Sequence, residues 1–271
     1  MTNKVELEFA AKTDTGLLRS QNEDSVALSP AYGFALLADG MGGYNAGEVA
    51  SNMATTIAKA ALEEGMDTLQ HSNARSPEQL HRLIVESVQR TNNTILDAAR
   101  NEPQYAGMGT TLVAAVFHED KVMLAHVGDS RAYLLRDGTL TQLTRDHSVL
   151  QEQIDAGLIS AEWAHYAQNK NLVTRAVGVS ANVEVDIHEH VTQAGDIFML
   201  CSDGLSDMLR SEEIQESLIR QRHSLQTACD ILVQEANEAG GHDNISVVLV
   251  QVGANSTCAS SLLDRILGWV N

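Results

Sequence analysis

Phe34-Ala35-Leu36-Leu37-Ala38-Asp39-Gly40-Met41-Gly42-Gly43 runs five apolar residues straight into an aspartate and a glycine-rich turn. Such a run, closed by Asp-Gly, reads as a short buried strand. Upstream, Val5, Leu7 and Phe9 alternate with Glu6 and Glu8, which is strand periodicity again. Downstream, Gly47 to Glu64 reads as a helix. Ser76-Pro77-Glu78-Gln79 then supplies an N-cap, a proline at the first helical position and the Gln of a capping box. The helix so begun carries Leu80, Leu83, Ile84, Val88, Ile95 and Leu96 near a 3.6-residue period and stops before Gly107 to Gly109. Two long helices in succession argue against a βαβ repeat.

Strand-like runs return at Thr110 to Phe117, Val122 to Val127, Ala132 to Leu135 and Leu140 to Leu143, with Asp137-Gly138 as a turn between the last two. A mixed stretch from Arg145 to Arg175 follows. Strands resume at Val183 to Ile187 and Ile197 to Cys201, two helices occupy about 211 to 238, and Ile245 to Val252 closes the pattern. Strand blocks segregated from helix pairs predict an α+β protein with sheets inside and helices covering them.

Composition supports one folded unit. The chain has 271 residues, 44% of them hydrophobic, and only three prolines, with no linker or solenoid repeat before about residue 253. Its 18 basic against 36 acidic residues give a net charge of −18. That field repels phosphate backbones and anionic lipid, so nucleic acid and membrane insertion are excluded as partners, and peptides with basic flanks are steered toward it. Cys201, Cys229 and Cys258 are odd in number and widely spaced, and the start has no signal-like pattern, so a reducing cytoplasm is expected.

The chemistry lies in a repeated arrangement, an apolar strand ending in an acid beside a glycine. Phe34 to Ala38 meets Asp39-Gly40, Val122 to Val127 meets Gly128-Asp129, and Ile197 to Cys201 meets Ser202-Asp203-Gly204, while Asp243 precedes the closing strand. Any single Asp-Gly is by default a surface turn. Four together point to converging carboxylates, which need a cation. Hard oxygen donors without a His or Cys set favour Mg or Mn, and two such ions can hold and acidify a water. Other catalytic patterns fail. Gly40 to Gly47 lacks the Lys-Ser/Thr of a P-loop, Cys201 is followed six positions later by Asp207 rather than arginine, and Gly128-Asp129-Ser130-Arg131-Ala132 lacks the second glycine of a nucleophile elbow.

Seven segments in order resemble the metal-dependent Ser/Thr protein phosphatases of the type 2C class in their bacterial form. They are Arg19 to Asp24, Ala38 to Gly43, Gly109 to Leu112, Val127 to Tyr133, Leu143 to Ser148, Cys201 to Asp207 and His242 to Asn244. The resemblance spans about residues 8 to 252. It implies a four-layer αββα sandwich, two antiparallel sheets flanked by helix pairs, with 1–252 as the catalytic domain and a flap-like insertion at about 145–175. It also implies two Mg or Mn ions held by Asp39, the Gly40 carbonyl, Asp203 and Asp243, with Glu23, Asp24 and Asn244 behind them, the acids acting through bound water. Asp129, Asp203 and Asp207 resemble the ligands of a weaker third metal, although Asp207 also reads as an ordinary acid at a helix start. Arg19 is the implied phosphate clamp and, with Asp39, the catalytic pair. The implied reaction is in-line attack of a metal-bridged hydroxide on phosphoserine or phosphothreonine in proteins, opposing a Ser/Thr kinase, by a chain read as a monomer. The rival readings are a phosphoprotein-binding module without turnover and a hydrolase of small phosphomonoesters.

Two features depart from the family pattern. Where relatives often carry a histidine after the Asp-Gly, this chain has Met41 and Tyr44, so a water or a histidine from elsewhere, such as His147, is expected to protonate the leaving group. The segment His165 to Asn171 is longer and lacks a proline before Leu172-Val173-Thr174-Arg175, which bears on substrate preference. In the tail, 253–271, Leu262, Leu263, Ile266, Leu267, Trp269 and Val270 read as a short amphipathic helix packed on the domain, with a docking peptide as the alternative.

Overall fold

A computed structural model describes residues 6–43, 46–71, 76–160 and 172–253. Tyr44, the segment 161–171 and the apolar tail fall outside the described residues. Eleven described strands form two antiparallel sheets. The first has β1 (Leu7–Asp14), β11 (Ile245–Val252), β10 (Ile197–Cys201), β7 (Arg131–Arg136) and β8 (Thr139–Gln142) side by side in that order. The second runs β2 (Asp24–Ser29), β3 (Phe34–Met41), β5 (Leu112–His118), β6 (Lys121–Val127), β9 (Asp186–Val191), with the two-residue β4 (Gly109–Thr110) against the end of β3.

Both faces of the central strands are covered, which is why they read as unbroken apolar runs although antiparallel strands usually alternate with polar residues. In β3, Phe34, Leu36 and Ala38 face the helices α1 (Ala46–His71) and α2 (Pro77–Asn101), whereas Ala35 and Leu37 join a core between the sheets. In β11, Ile245, Val247 and Leu249 face α5 (Ser211–Gln221) and α6 (Leu225–Glu238), while Val248, Val250 and Val252 point into the same central core. Phe117 and Phe198 meet there edge to face, 5.4 Å between ring centroids. Three apolar layers therefore separate four layers of structure, and the αββα sandwich expected from the sequence is the fold. At roughly 1.5–3 kcal/mol per fully buried large side chain, these layers are the main force holding the sheets face to face.

Local expectations hold where sequence signals are strong. Ser76 Oγ accepts from the Gln79 N–H (3.3 Å) and Gln79 Oε1 accepts from the Ser76 N–H (3.1 Å), the capping box starting α2. Helix α1 begins one residue before Gly47 but continues to His71, beyond Glu64. Val183 and Val185 pack against the helical side without pairing, and the strand begins only at Asp186. Within the mixed stretch, α3 (Val149–Asp155) forms behind an N-cap at Ser148. Among the described residues no helix is long and apolar enough to cross a membrane.

Candidate metal centre

Strand parity carries the site out of the core. Continuing past Ala35 and Leu37, Asp39 projects on the inter-sheet side, where the apolar filling ends. Asp24 is the cross-strand partner of Asp39 and, by the parity of Val26 and Leu28, shares its face. From the opposite sheet, β10 ends at Cys201 and the single-turn helix α4 (Asp203–Ser206) begins with Asp203. Asp129 occupies the turn between β6 and β7, and Asp243 the loop entering β11.

Four of these acids, Asp39, Asp129, Asp203 and Asp243, line one cavity of about 230 Å³ together with Glu23, Gly40 and Met41, and Arg19 is the one basic residue among its lining. Carboxylates from positions far apart in the chain thus converge as the sequence implied. Asp24 is buried behind Asp39, with Oδ2 accepting from the Ser202 hydroxyl (2.7 Å) and Oδ1 without a hydrogen-bond partner among the described residues. Asp207 closes α4 and, though not part of the lining, lies near enough to push up the pKa of both Asp129 and Asp203. Asn244 lines the same cavity, and its N–H donates to Asp243 Oδ1 (2.8 Å). Its Oδ1 accepts from the Glu23 N–H (2.7 Å), and its Nδ2 donates to the carbonyls of Thr15 and Gln21 (2.9 Å each). It is a brace for the loop that carries Arg19 and Glu23.

Glycine sets the closeness of these turns. A Cβ on Gly40 would lie 2.0 Å from the Gly47 carbonyl oxygen, and one on Gly204 would lie 2.0 Å from that of Asn244. The turns bearing Asp203 and Asp243 therefore abut through bare backbone. Gly204→Ala must force them apart, and urea denaturation should show a loss of about 2–3 kcal/mol. A loss below roughly 0.5 kcal/mol, the level of a neutral surface change, would mean that the contact is loose. Polar side chains of the Gly109 to Leu112 segment, to which the sequence reading gave no role, fix Asp39 itself. Thr111 Oγ1 accepts from the Asp39 N–H (2.9 Å), and the Thr110 hydroxyl and Thr111 N–H both donate to the Asp39 carbonyl (2.8 Å each).

The electrostatics are those of a site short of positive charge. Burial first, then the carboxylates of Asp24, Asp203, Asp129 and Asp243, hold Asp39 well above the ordinary aspartate range. Asp203 is raised in the same way, by burial and by Asp129, Asp207, Asp243 and Asp24. Burial pushes Asp24 and Asp129 up to about 6 each. At the rim, Arg19 Nη2 donates to Asp243 Oδ2 (2.6 Å) with half of its side chain exposed.

His147 does not face this cavity. Its Nδ1 accepts from the Gly128 N–H (3.1 Å), which leaves the proton on Nε2, directed at Asp186 Oδ2 (3.2 Å). Both nitrogens are engaged and the side chain is buried, so the ring is not poised to protonate a leaving group in the acidic cavity. His126, His147 and Asp186 offer ligand atoms within 4.8 Å of one another, but Arg175 already neutralises Asp186 through an Nη1 bond of 2.9 Å and stands where a cation would be needed.

Similarity to known proteins agrees with this geometry. Residues 19–238 match the family model described as Protein phosphatase 2C. The serine/threonine phosphatase stp of Listeria welshimeri is 40% identical over 243 residues, 89% of this chain and 94% of the relative. PstP of Mycobacterium tuberculosis is 40% identical over 249 residues, 91% of this chain and 45% of that longer protein. A crystal structure of the PstP catalytic domain in complex with two manganese ions superposes with a TM-score of 0.80 at 39% identity, covering 93% of this chain and all of that one. Stp1 from Staphylococcus aureus gives 0.82 at 30% identity, with 93% and 96% covered. The chain belongs to the protein phosphatase 2C family and is a protein serine/threonine phosphatase of the bacterial type.

Proposed function

We propose that Asp39, the Gly40 carbonyl, Asp203 and Asp243 hold two Mg or Mn ions, and that the chain uses them to dephosphorylate phosphoserine and phosphothreonine in proteins, opposing a Ser/Thr kinase. The observation that carries this reading is the crowding of five carboxylates, four Asp and Glu23, around one small cavity whose lining offers a single arginine. Hard oxygen donors with no thiol or imidazole among them suit these ions, and Asp39 and Asp203, raised by burial and neighbouring carboxylates, gain most from a cation. When bound, such ions acidify a water and neutralise charge on the phosphoryl oxygens.

The rest is done by the chain's own side chains. Thr110 and Thr111 hold the Asp39 backbone in place. Glu23 and the unpartnered Asp24 Oδ1 are acceptors for ordered water. Asp129 and Asp207, beside Asp203, form a weaker third cation site. With Met41 rather than a histidine in the lining, solvent water protonates the departing alkoxide. Arg19, bonded to Asp243 in the metal-free protein, would be free for the substrate with Asp243 engaged by an ion, and its guanidinium would grip two phosphoryl oxygens at once. Free, buried Cys201 and Cys229 suit a reducing cytoplasm.

Turnover of a phosphothreonine peptide with and without added Mn tests the whole reading. Activity restricted to Mn or Mg, and weaker on phosphosugars than on the peptide, is the expected result; metal-independent turnover would overturn it. Arg19→Ala should lower kcat/KM about 10- to 100-fold, mostly through KM, and Arg19→Lys should recover only part of the loss, because ammonium cannot form the bidentate fork. An unchanged KM would remove Arg19 from the phosphate site.

A further inference from the structure

We propose that His147 is a positioning residue that couples the base of the 145–175 segment to the Asp129 turn, so that one buried imidazole sets both the acid and the segment beside it. The inference rests on the reading of Asp129 as a ligand of the weaker cation.

His147 is bonded in both directions. Toward the turn, its N–H donates to the Gly128 carbonyl (2.9 Å) and its Nδ1 accepts from the Gly128 N–H (3.1 Å), a closed pair of bonds between two residues. Toward the segment, its carbonyl accepts from the Thr174 N–H (2.8 Å), and Nε2 meets Asp186, which Arg175 also holds. The next residue, Ser148, bridges Val173, and Val173 lines the acidic cavity. The ring is stacked on His126, centroids 4.6 Å apart, and His126 Nε2 donates to the Arg145 carbonyl (2.9 Å).

The turn has little freedom to adjust around this joint. Gly128 sits at φ +107°, and a Cβ there would lie 2.6 Å from the Thr111 side chain. Ser130 shares a 2.7 Å hydroxyl contact with Thr111. Arg131 is fixed by Asp146, with Nε at 3.0 Å and Nη2 at 2.7 Å from its oxygens. Adjacent residues Asp146 and His147 thus grip the two ends of Gly128-Asp129-Ser130-Arg131, with Asp129 between them. A shift at Thr174 or Arg175 has a direct covalent and hydrogen-bonded path to that carboxylate.

Three substitutions separate the bonds. His147→Asn keeps an acceptor near the position of Nδ1, His147→Gln keeps a donor that reaches toward Asp186, and His147→Ala keeps neither. Amide hydrogen exchange on the full chain and calorimetric Mn titration are read for each, beside Asp129→Asn. In His147→Ala, exchange should quicken at both Gly128 and Thr174, and the weakest Mn-binding step should weaken about 10-fold or more, as for Asp129→Asn, with the tighter steps unchanged. His147→Asn should retain Gly128 protection and stay within about threefold of the parent in that step. Quickened exchange at Gly128 alone, or equal impairment of Asn and Ala, would overturn the coupling. Should Asp129→Asn leave Mn binding unchanged, the ligand reading of Asp129 fails, and the exchange data still decide whether His147 joins the two segments.

Discussion

If Asp39 holds both ions as proposed, Asp39→Asn should reduce phosphopeptide turnover by about 10³-fold or more, because it removes a ligand charge shared by the two. The same substitution should leave the metal-free protein at least as stable as the parent. Asp39 is held well above the ordinary range by burial and four neighbouring carboxylates, so its ionised form is a liability to the empty fold. Loss of activity with retained stability in EDTA is the signature of a side chain kept for chemistry rather than for packing. A thermal melt in chelator and a steady-state assay in saturating Mn measure the two effects. Activity within tenfold of the parent would contradict the assignment, and a large fall in melting temperature would show that Asp39 has a structural role.

The stability of the metal-free protein should fall as the pH rises from about 4 to 7. Asp24 and Asp129 have folded pKa values near 6, above those of an unfolded aspartate, so their protonated forms are favoured by folding. Their stabilisation is complete below the unfolded value and is lost as the pH passes through 6. A shift of this size corresponds to roughly 2–3 kcal/mol per group, or on the order of 10 °C in melting temperature for the two together. His126 and His147, whose pKa values burial lowers, act in the opposite sense, since their contribution is lost as the pH falls below the unfolded value. The Mn-dependent increment separates the two effects, because the proposed ion site is the acidic cavity and both histidines lie outside it. That increment should be small at pH 5 and large at pH 7.5. An increment of equal size at both would mean that the carboxylates are not crowded in the way the cavity implies.

Much of this was legible in the sequence because both faces of the central strands are buried. Phe34 to Ala38, Ile197 to Cys201 and Ile245 to Val252 stand out as apolar runs, and each run ends at, or starts just after, an acid of the site. Strand β2 escaped detection because it is short and edge-placed, with Ser25 and Ser29 bonding to α1 through Thr55 and Glu63. The start of β9 was misplaced because Val183 and Val185 alternate as strand residues do but pack on the helical side before pairing begins. The residues that support the acids fall in the matching segments, and Asn244 was placed behind the ligands, but the contacts they make were not legible. Nothing local marks Thr111 as the acceptor for the Asp39 amide, Ser202 as a donor to Asp24, or Asn244 as the clamp on the Arg19 loop, since each contact joins residues more than 70 positions apart. For His147, pattern alone left a proton donor open, and only the Gly128 and Asp186 bonds show it to be engaged elsewhere.

Anomalous diffraction at the manganese edge from crystals grown with Mn tests the account most directly. Two strong peaks inside the cavity walled by Asp39, Gly40, Asp203 and Asp243, both lost in Asp39→Asn, are the predicted result. Peaks seated instead at His126, His147 and Asp186, with the acidic cavity holding only water, would contradict it.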